Sequence, residues 1–195
     1  MDFSFDYICA QLTTRALSAS GLIVQSDGIR QAAVTIWLRN QCGMAELLVI
    51  KRAEHPGDPW SGHLALPGGR ADAADADLLA TAIRETHEEV GLRLDDASRI
   101  LGSLPVLTPR NPRLPQVEIT PLIITAPRDT TLLLNDEVAT AFWMDVRELK
   151  TKGRLAEHRR RVSETEYKWP AYDSPHGPIW GITERILTGF LALLD

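Results

Sequence analysis

Hydrophobic positions in the first third of the chain come in short, dense runs separated by turn residues. Residues 6–17 suit a short helix, and Ser26-Asp27-Gly28 reads as a turn. AAVTIWLRN (32–40) and ELLVIKRA (46–53) are rich in Val, Ile, Leu and Trp and flank a turn containing Gly43, the pattern of a hairpin. The segment 54–62, EHPGDPWSG, holds two prolines and two glycines and is predicted to be a loop. HLAL (63–66) predicts a short strand that ends at Pro67-Gly68-Gly69, read as a sharp turn.

One long amphipathic segment follows. Leu79, Ala82, Ile83, Thr86 and Val90 recur at offsets of 3, 4, 7 and 11, one stripe of an α-helix. The helix is predicted from about Asp75 or Asp77, either of which can cap its start, to Val90. Gly91 suits the left-handed position just past its end. Glu85, Glu88 and Glu89 fall largely on the other side of the wheel, at about 100° per residue. Further strands are predicted at 100–107, 117–125 and 138–144, with the turn-rich segment TPRNPRLPQ (108–116) between the first two. Residues 146–160 begin as a helix, 161–178 form an excursion with a small hairpin around YKWPAY, and Ile179 to Leu194 form a last helix. This mixture predicts an α+β sandwich and not a run of βαβ units.

Composition narrows the possibilities. The 195 residues, 44% hydrophobic, suffice for one compact core and are short for two. A net charge of -5, from 26 acidic and 21 basic side chains, gives no general attraction to a polyanion. No nucleic-acid polymer is expected as a partner, and the cluster Arg154, Arg159, Arg160, Arg161 reads as a solvated helix end or loop. Cys9 and Cys42 lie in no metal-ligand spacing, which fits a reducing, cytoplasmic setting. The N-terminus lacks the pattern of a signal peptide, and no apolar run reaches the length of a membrane span, so no membrane partner is expected.

The chemistry concentrates on the long helix. Three carboxylates at i, i+3 and i+4 are neighbours and repel one another. A hard divalent cation turns that repulsion into binding, because Mg²⁺ takes oxygen ligands and pairs carboxylates with substrate phosphates. Such an ion can polarise a phosphoryl oxygen and acidify a bound water. Arg84, beside the cluster, either fixes a glutamate rotamer or touches phosphate. Gly68 and Gly69 permit backbone close to a ligand.

The segment from Gly69 to Leu92, GRADAADADLLATAIRETHEEVGL, resembles the signature of the Nudix hydrolases. It matches at Arg84, Glu85, Glu88, Glu89, Gly91 and Leu92, while Thr86 stands where the signature has an aliphatic residue. The spacing from Gly69 to Arg84 is one residue longer than in the commonest form, and the signature's first glutamate falls on Ala76, between Asp75 and Asp77. The lengthened loop, with Asp72, Asp75 and Asp77, resembles the coenzyme A pyrophosphatase branch, which carries D-x-x-D there. Upstream, Gly62 and His63 stand where that branch has Gly and Gln, and the rest of its upstream motif is absent. LPVLTP (104–109), QVEITPLII (116–124), NDEVATAFWMDVREL (135–149), WPAY (169–172) and IWGITERIL (179–187) extend the likeness over about residues 31–195.

The resemblance implies an α/β/α sandwich with a mixed β-sheet, residues 31–195 as the hydrolase domain and residues 1–30 as an N-terminal extension. It implies Mg²⁺ or Mn²⁺ held by Glu85, Glu88, Glu89 and an acid after the signature, for which Glu137 is the candidate and Asp136 the alternate. Arg84, Glu88, Glu89 and Glu137 become the expected catalytic residues, acting on a small-molecule diphosphate. Coenzyme A or its derivatives is one substrate class, and ADP-ribose or another nucleoside diphosphate conjugate is the other. A non-catalytic nucleotide-binding or protein-interaction module is the competing reading, weakened by the complete R-E-x-x-E-E pattern. Gly68, Gly69, Trp60, Arg110 and Arg113 are the candidates for substrate contact, and His55, His63 and His87 form no zinc spacing. A homodimer of closed twofold symmetry stands as an open alternative to a monomer.

Overall fold

The computed structural model describes residues 2–19, 22–24, 29–58, 60–110, 116–127, 130–154, 156–162 and 165–195. A first helix, α1 (Phe5–Arg15), precedes a long hairpin of β1 (Gln31–Gln41) and β2 (Met44–Arg52). Two short strands, β3 (Leu64–Ala65) and β4 (Gly68–Arg70), lead into α2 (Leu78–Val90). Then come β5 (Ile100–Ser103), β6 (Glu118–Thr125), β7 (Val138–Asp145) and α3 (Val146–Lys152). The chain ends in a hairpin of β8 (Ala156–Val162) and β9 (Thr165–Tyr172), the short β10 (Ile179–Trp180) and α4 (Gly181–Ala192).

The central sheet has seven strands, ordered β3-β2-β1-β6-β5, with β4 added beside β1 and β7 beside β2. It is mixed, because β1 runs parallel to β6 and antiparallel to β2 and β4. Both faces are covered. α2 sets Leu78, Ala82 and Val90 against Trp37, Leu48, Ile50, Leu122 and Ile124. On the opposite face, Ile8 and Leu12 of α1, Val146 and Leu149 of α3, and Leu187 and Phe190 of α4 pack with Ile36, Leu38, Leu47 and Val49. Alternate residues of β1 and β2 thus feed opposite cores, as the two-residue period of a strand requires. The α+β expectation holds as an α/β/α sandwich.

Several local expectations change. Pro67-Gly68-Gly69 is not only a turn, because Gly68–Arg70 pairs with Ala32, Ala33 and Val34 of β1. The pairing is so close that a Cβ on Gly68 would collide with the backbone of Ala33 and Val34. The first strand after α2 is shorter than 100–107, with Leu107 making only an isolated bridge to Ile119. The C-terminal hairpin is longer than expected and takes in Arg159 of the basic cluster, in β8. Arg154, rather than being merely solvated, pairs with the buried Glu184 of α4. Residues 179–180 form a strand edge before the last helix starts. The helix predicted over 6–17 is α1, which is part of the core: Ile8, Cys9 and Leu12 are buried. Ser26-Asp27-Gly28 lies outside the described residues.

Candidate active site

The site is built where β1 changes partners. Residues 32–34 of β1 pair with β4, and residues 38–41 pair with β2. Thr35 lies between these pairings, and its N–H and hydroxyl both donate to the Pro67 carbonyl, at 2.8 and 3.1 Å. Its hydroxyl also meets that of Thr86 at 2.9 Å, and the Trp37 indole N–H donates to Thr86 Oγ1 at 3.2 Å. All three residues are fully buried. The threonine that departs from the aliphatic pattern is therefore matched by polar partners on β1, which removes the cost of burying its hydroxyl.

α2 is fixed at both ends. Asp77, the one of the two expected caps that serves, accepts from the Ala80 N–H at 2.8 Å, and Gly91 closes the helix in the left-handed region. Asp75 has a different task. Its carboxylate receives Arg84 Nε and Nη2, each at 2.9 Å, in a bidentate fork. Thr81 donates a further bond to it at 2.8 Å. This setting holds the Asp75 carboxyl far below the ordinary carboxylate range, chiefly through the Arg84 bond, and raises the Arg84 guanidinium. Arg84 also reaches Glu85 at 2.8 Å, Glu88 at 3.4 Å and the Arg70 carbonyl at 3.1 Å.

The glutamates differ in environment. Glu88 is exposed. Glu85 is half-buried, and desolvation pushes its carboxyl up against the opposing pull of Arg84. Its carboxylate fills the space that a Cβ on Gly69 would occupy. Glu89 is only 3% exposed and accepts from the Gly68 N–H at 2.9 Å. Burial pushes the Glu89 carboxyl up to about 7, opposed by the Gly68 bond and by Arg52, whose Nη1 lies 4.0 Å away. Placing Glu89 on the polar side of α2 is corrected: at about 100° per residue it falls about 20° from both Leu78 and Ala82, in the middle of the core stripe.

Glu137 is exposed, and its carboxylate makes no hydrogen bond or ion pair among the described residues. Its charge opposes ionisation of both Glu85 and Glu89, so it lies near the same site. Main-chain bonds explain how it arrives there. Leu133 N–H donates to the Val90 carbonyl at 2.9 Å, Asn135 N–H to the Glu89 carbonyl at 3.1 Å, and Ala53 N–H to the Glu137 carbonyl at 2.8 Å. The other expected contacts lie elsewhere. Trp60 is half-buried in the loop before β3, its N–H bonded to Asp58. Arg110 is exposed and lies near Arg185 of α4, on the far face of the sheet from α2. Arg113 lies outside the described residues.

Arg52 was not anticipated. It ends β2, pairs with Asp58 at 3.0 Å, approaches Glu89, and leaves its buried Nε without a partner among the described residues. The signal was present, since an arginine closing a strand whose centre is the apolar run Leu47–Ile50 leads directly into the loop before the glycines.

The NUDIX domain model matches residues 29–165. The chain belongs to the Nudix hydrolase family. It is 34% identical over 165 residues to the Nudix hydrolase NudL of Enterobacter sp. (strain 638), covering 81% of this chain and 79% of that protein. It is 31% identical over 170 residues to the mitochondrial coenzyme A diphosphatase NUDT8 of Homo sapiens, covering 84% of this chain and 69% of that one. A MutT/nudix family protein from Enterococcus faecalis shares the fold, with a TM-score of 0.59 at 16% identity, over all of this chain and 76% of that one. As a Nudix hydrolase, the chain cleaves a diphosphate in a nucleotide-derived substrate, and no helix among the described residues is long and apolar enough to cross a membrane.

Nudix membership implies a divalent cation. Among the described residues no three His, Cys, Asp or Glu side chains converge as a ready cation cage. The donors nevertheless fit the ion chemically. They are hard carboxylate oxygens, and Glu85 is seated in the cradle left open by Gly69. Arg84 and the Gly68 N–H hold two of the acids in the arrangement seen.

Proposed function

We propose that this Nudix hydrolase cleaves the diphosphate of coenzyme A or its acyl derivatives with Mg²⁺ or Mn²⁺, giving 4′-phosphopantetheine, or its acyl form, and adenosine 3′,5′-bisphosphate. The observation that carries the reading is the loop before α2. Asp72 and Asp75, spaced D-x-x-D, close a turn: the Asp72 N–H donates to the Asp75 carboxylate at 2.9 Å, and the Asp75 N–H to the Asp72 carbonyl at 3.1 Å. That turn aims Asp75 at Arg84. In the lengthened loop an aspartate one residue before the position of the signature's first glutamate therefore holds Arg84. Similarity to a coenzyme A diphosphatase over most of the chain supports the same substrate class.

In this mechanism Glu85, Glu88 and Glu89 would hold the cation, with Glu137 near them. Such a cation, when bound, would supply neutralisation of diphosphate charge and a lowered pKa for the attacking water. Arg84 keeps Glu85 in place while Asp75 keeps Arg84 in place. Gly68 and Gly69 let the main chain of β4 lie against the carboxylates, where a side chain would displace them. Glu137, exposed and without a side-chain partner among the described residues, accepts the proton of the water if it comes within hydrogen-bond reach, about 2.6–3.2 Å.

The test is a product-resolved mass-spectrometric assay with Mg²⁺ or Mn²⁺ on coenzyme A, acetyl-coenzyme A, ADP-ribose, NADH, nucleoside triphosphates and diadenosine polyphosphates, with Glu89→Gln in parallel. Coenzyme A or its acetyl derivative is expected to be cut with the highest kcat/KM, and Glu89→Gln to lose at least about a hundredfold, or about 2.7 kcal/mol of transition-state stabilisation. Preference for ADP-ribose or NADH would overturn the coenzyme A assignment.

A further inference from the structure

A concavity of about 380 Å³ opens at the end of β2, on the face of the sheet opposite α2, where Lys51 pairs with Leu64; Lys51, Ser61, His63, His158, His176 and Trp180 line it with small and apolar neighbours. Consecutive side chains of β2 leave on opposite faces, Arg52 toward Glu89 and Lys51 into this cleft, so the end of one strand separates it from the carboxylates. The N–H of Arg52, whose side chain approaches Glu89, donates to the His63 carbonyl at 3.0 Å, and Lys51 is the neighbouring residue of the same strand. Its floor is rigid. His158 stacks on Trp180 with ring centroids 4.1 Å apart and planes 11° apart, and His63 meets the same indole at 4.7 Å. Trp169 supports Trp180 at 5.4 Å, and Phe142 supports His176 at 4.4 Å.

The polarity of the lining is one-sided. It has one lysine, three histidines and a serine, with no carboxylate, in a chain whose net charge is -5. Glu54 packs along Gly62 but is not part of the lining. Asp58, the other acid near His63, is engaged by Arg52. Lys51 is half-buried and forms no ion pair among the described residues, so its ammonium is available to an anion. Trp180 is already stacked on His158 and flanked by His63 and Trp169, which leaves the cleft better suited to charge recognition than to stacking of a flat base.

We infer that this cleft is an anion subsite that receives a phosphate monoester carried by the nucleotide end of the substrate, apart from the diphosphate that is cut. The inference rests on the diphosphate-hydrolase reading and adds where specificity is set. Lys51 supplies the fixed charge, and the imidazoles of His63, His158 and His176 line the pocket with nitrogen donors and acceptors. A substrate with such a phosphate gains a charge-assisted contact that its dephosphorylated counterpart lacks.

Two measurements test this. The first is metal-free binding, read from tryptophan fluorescence, of adenosine 3′,5′-bisphosphate, adenosine 5′-monophosphate and inorganic phosphate to the wild type, Lys51→Met and His176→Gln. The bisphosphate is expected to bind at least about tenfold tighter than the monophosphate, with the ratio falling toward one in Lys51→Met and decreasing in His176→Gln. Equal affinities, or a ratio untouched in both variants, would overturn the subsite. Inorganic phosphate binding as tightly as the bisphosphate would make the cleft a site for free phosphate and overturn it equally. The second is the kcat/KM ratio of coenzyme A to its 3′-dephospho form, which is expected to exceed about tenfold in the wild type and to collapse in Lys51→Met. Turnover with no such preference removes the subsite and leaves the hydrolase reading intact. Selective binding with no turnover of either coenzyme removes the coenzyme A reading and leaves the subsite.

Discussion

Replacing Arg84 with lysine keeps the charge and removes the fork, so it isolates geometry from electrostatics. Arg84 makes two bonds of 2.9 Å to Asp75, one of 2.8 Å to Glu85 and one of 3.1 Å to the Arg70 carbonyl. An ammonium on a shorter stem can keep one or two of these. The Asp75 side chain is 6% exposed, so losing its partner leaves a charge largely out of water. A fully orphaned buried charge costs about 3–5 kcal/mol. Thr81 and the Asp72 N–H still donate to Asp75, which limits the loss to about 2–3 kcal/mol. For a domain of this size each kcal/mol lowers Tm by about 2–4 °C, so Arg84→Lys is expected to melt about 4–12 °C lower. Asp75→Asn is expected to cost less, because the arginine it releases is partly exposed and keeps Glu85. A double-mutant cycle by urea unfolding should return a coupling of at least about 1 kcal/mol. The sign with pH follows from the depressed Asp75 carboxyl. Its stabilisation is present above the unfolded value of about 3.9 and is lost as pH falls through the lower folded value. The Arg84→Lys penalty should therefore be flat from about pH 6 to 8 and shrink in strong acid. A change within about 0.5 kcal/mol of wild type, or additive single effects, would refute the fork as the clamp between loop and helix.

The two glycines of β4 should separate stability from activity. Gly68→Ala meets the backbone of Ala33 and Val34 at a positive φ and should destabilise by at least about 3 kcal/mol, measured by urea unfolding. Gly69→Ala meets only the movable carboxylate of Glu85, so it should unfold within about 1 kcal/mol of wild type yet lose at least about tenfold in kcat/KM. The two cysteines should differ toward a thiol reagent: Cys9 is buried and pushed up to about 11 by desolvation, whereas Cys42 is exposed. At pH 8 the native protein should release one equivalent quickly and a second only in denaturant, and rapid titration of both would contradict the packing of α1.

What was readable in the sequence was what periodicity and turn chemistry control. The β1–β2 hairpin, α2 with its Gly91 stop and the acids of its signature follow from local pattern. What was not readable depends on partners distant in the chain. Thr86 looks like a flaw in an apolar stripe until Thr35 and Trp37, about fifty residues earlier, supply its hydrogen bonds. Asp75 could equally have been a cap, and only the fold brings it against Arg84. Pro67-Gly68-Gly69 reads as a turn because three residues carry no strand signature of their own; pairing with β1 makes Gly68 and Gly69, with Arg70, a strand. Glu89 was misplaced for another reason. Its type argues for solvent, while its position, seven residues after Ala82 and eleven after Leu78, argues for the core. Position won, and the burial of a carboxylate there marks a site where local preference yields to function.

The end of α2 organises more than its own carboxylates. Gly91 is usually justified by the left-handed conformation at a helix stop, and that applies here. A second constraint acts on it, because a Cβ at Gly91 would press on Leu133. Leu133 and Asn135 hang by their N–H groups from Val90 and Glu89, and the next turn delivers Glu137 to the bond with Ala53 at the end of β2. The same helical turn that presents Glu88 and Glu89 therefore also sets the path of the segment bearing Glu137. An acid 48 residues further along the chain is thereby held near the acids of the helix through main-chain bonds. This accounts for a pairing that the sequence alone leaves unexplained, and it makes Gly91 a residue of the site as much as of the helix.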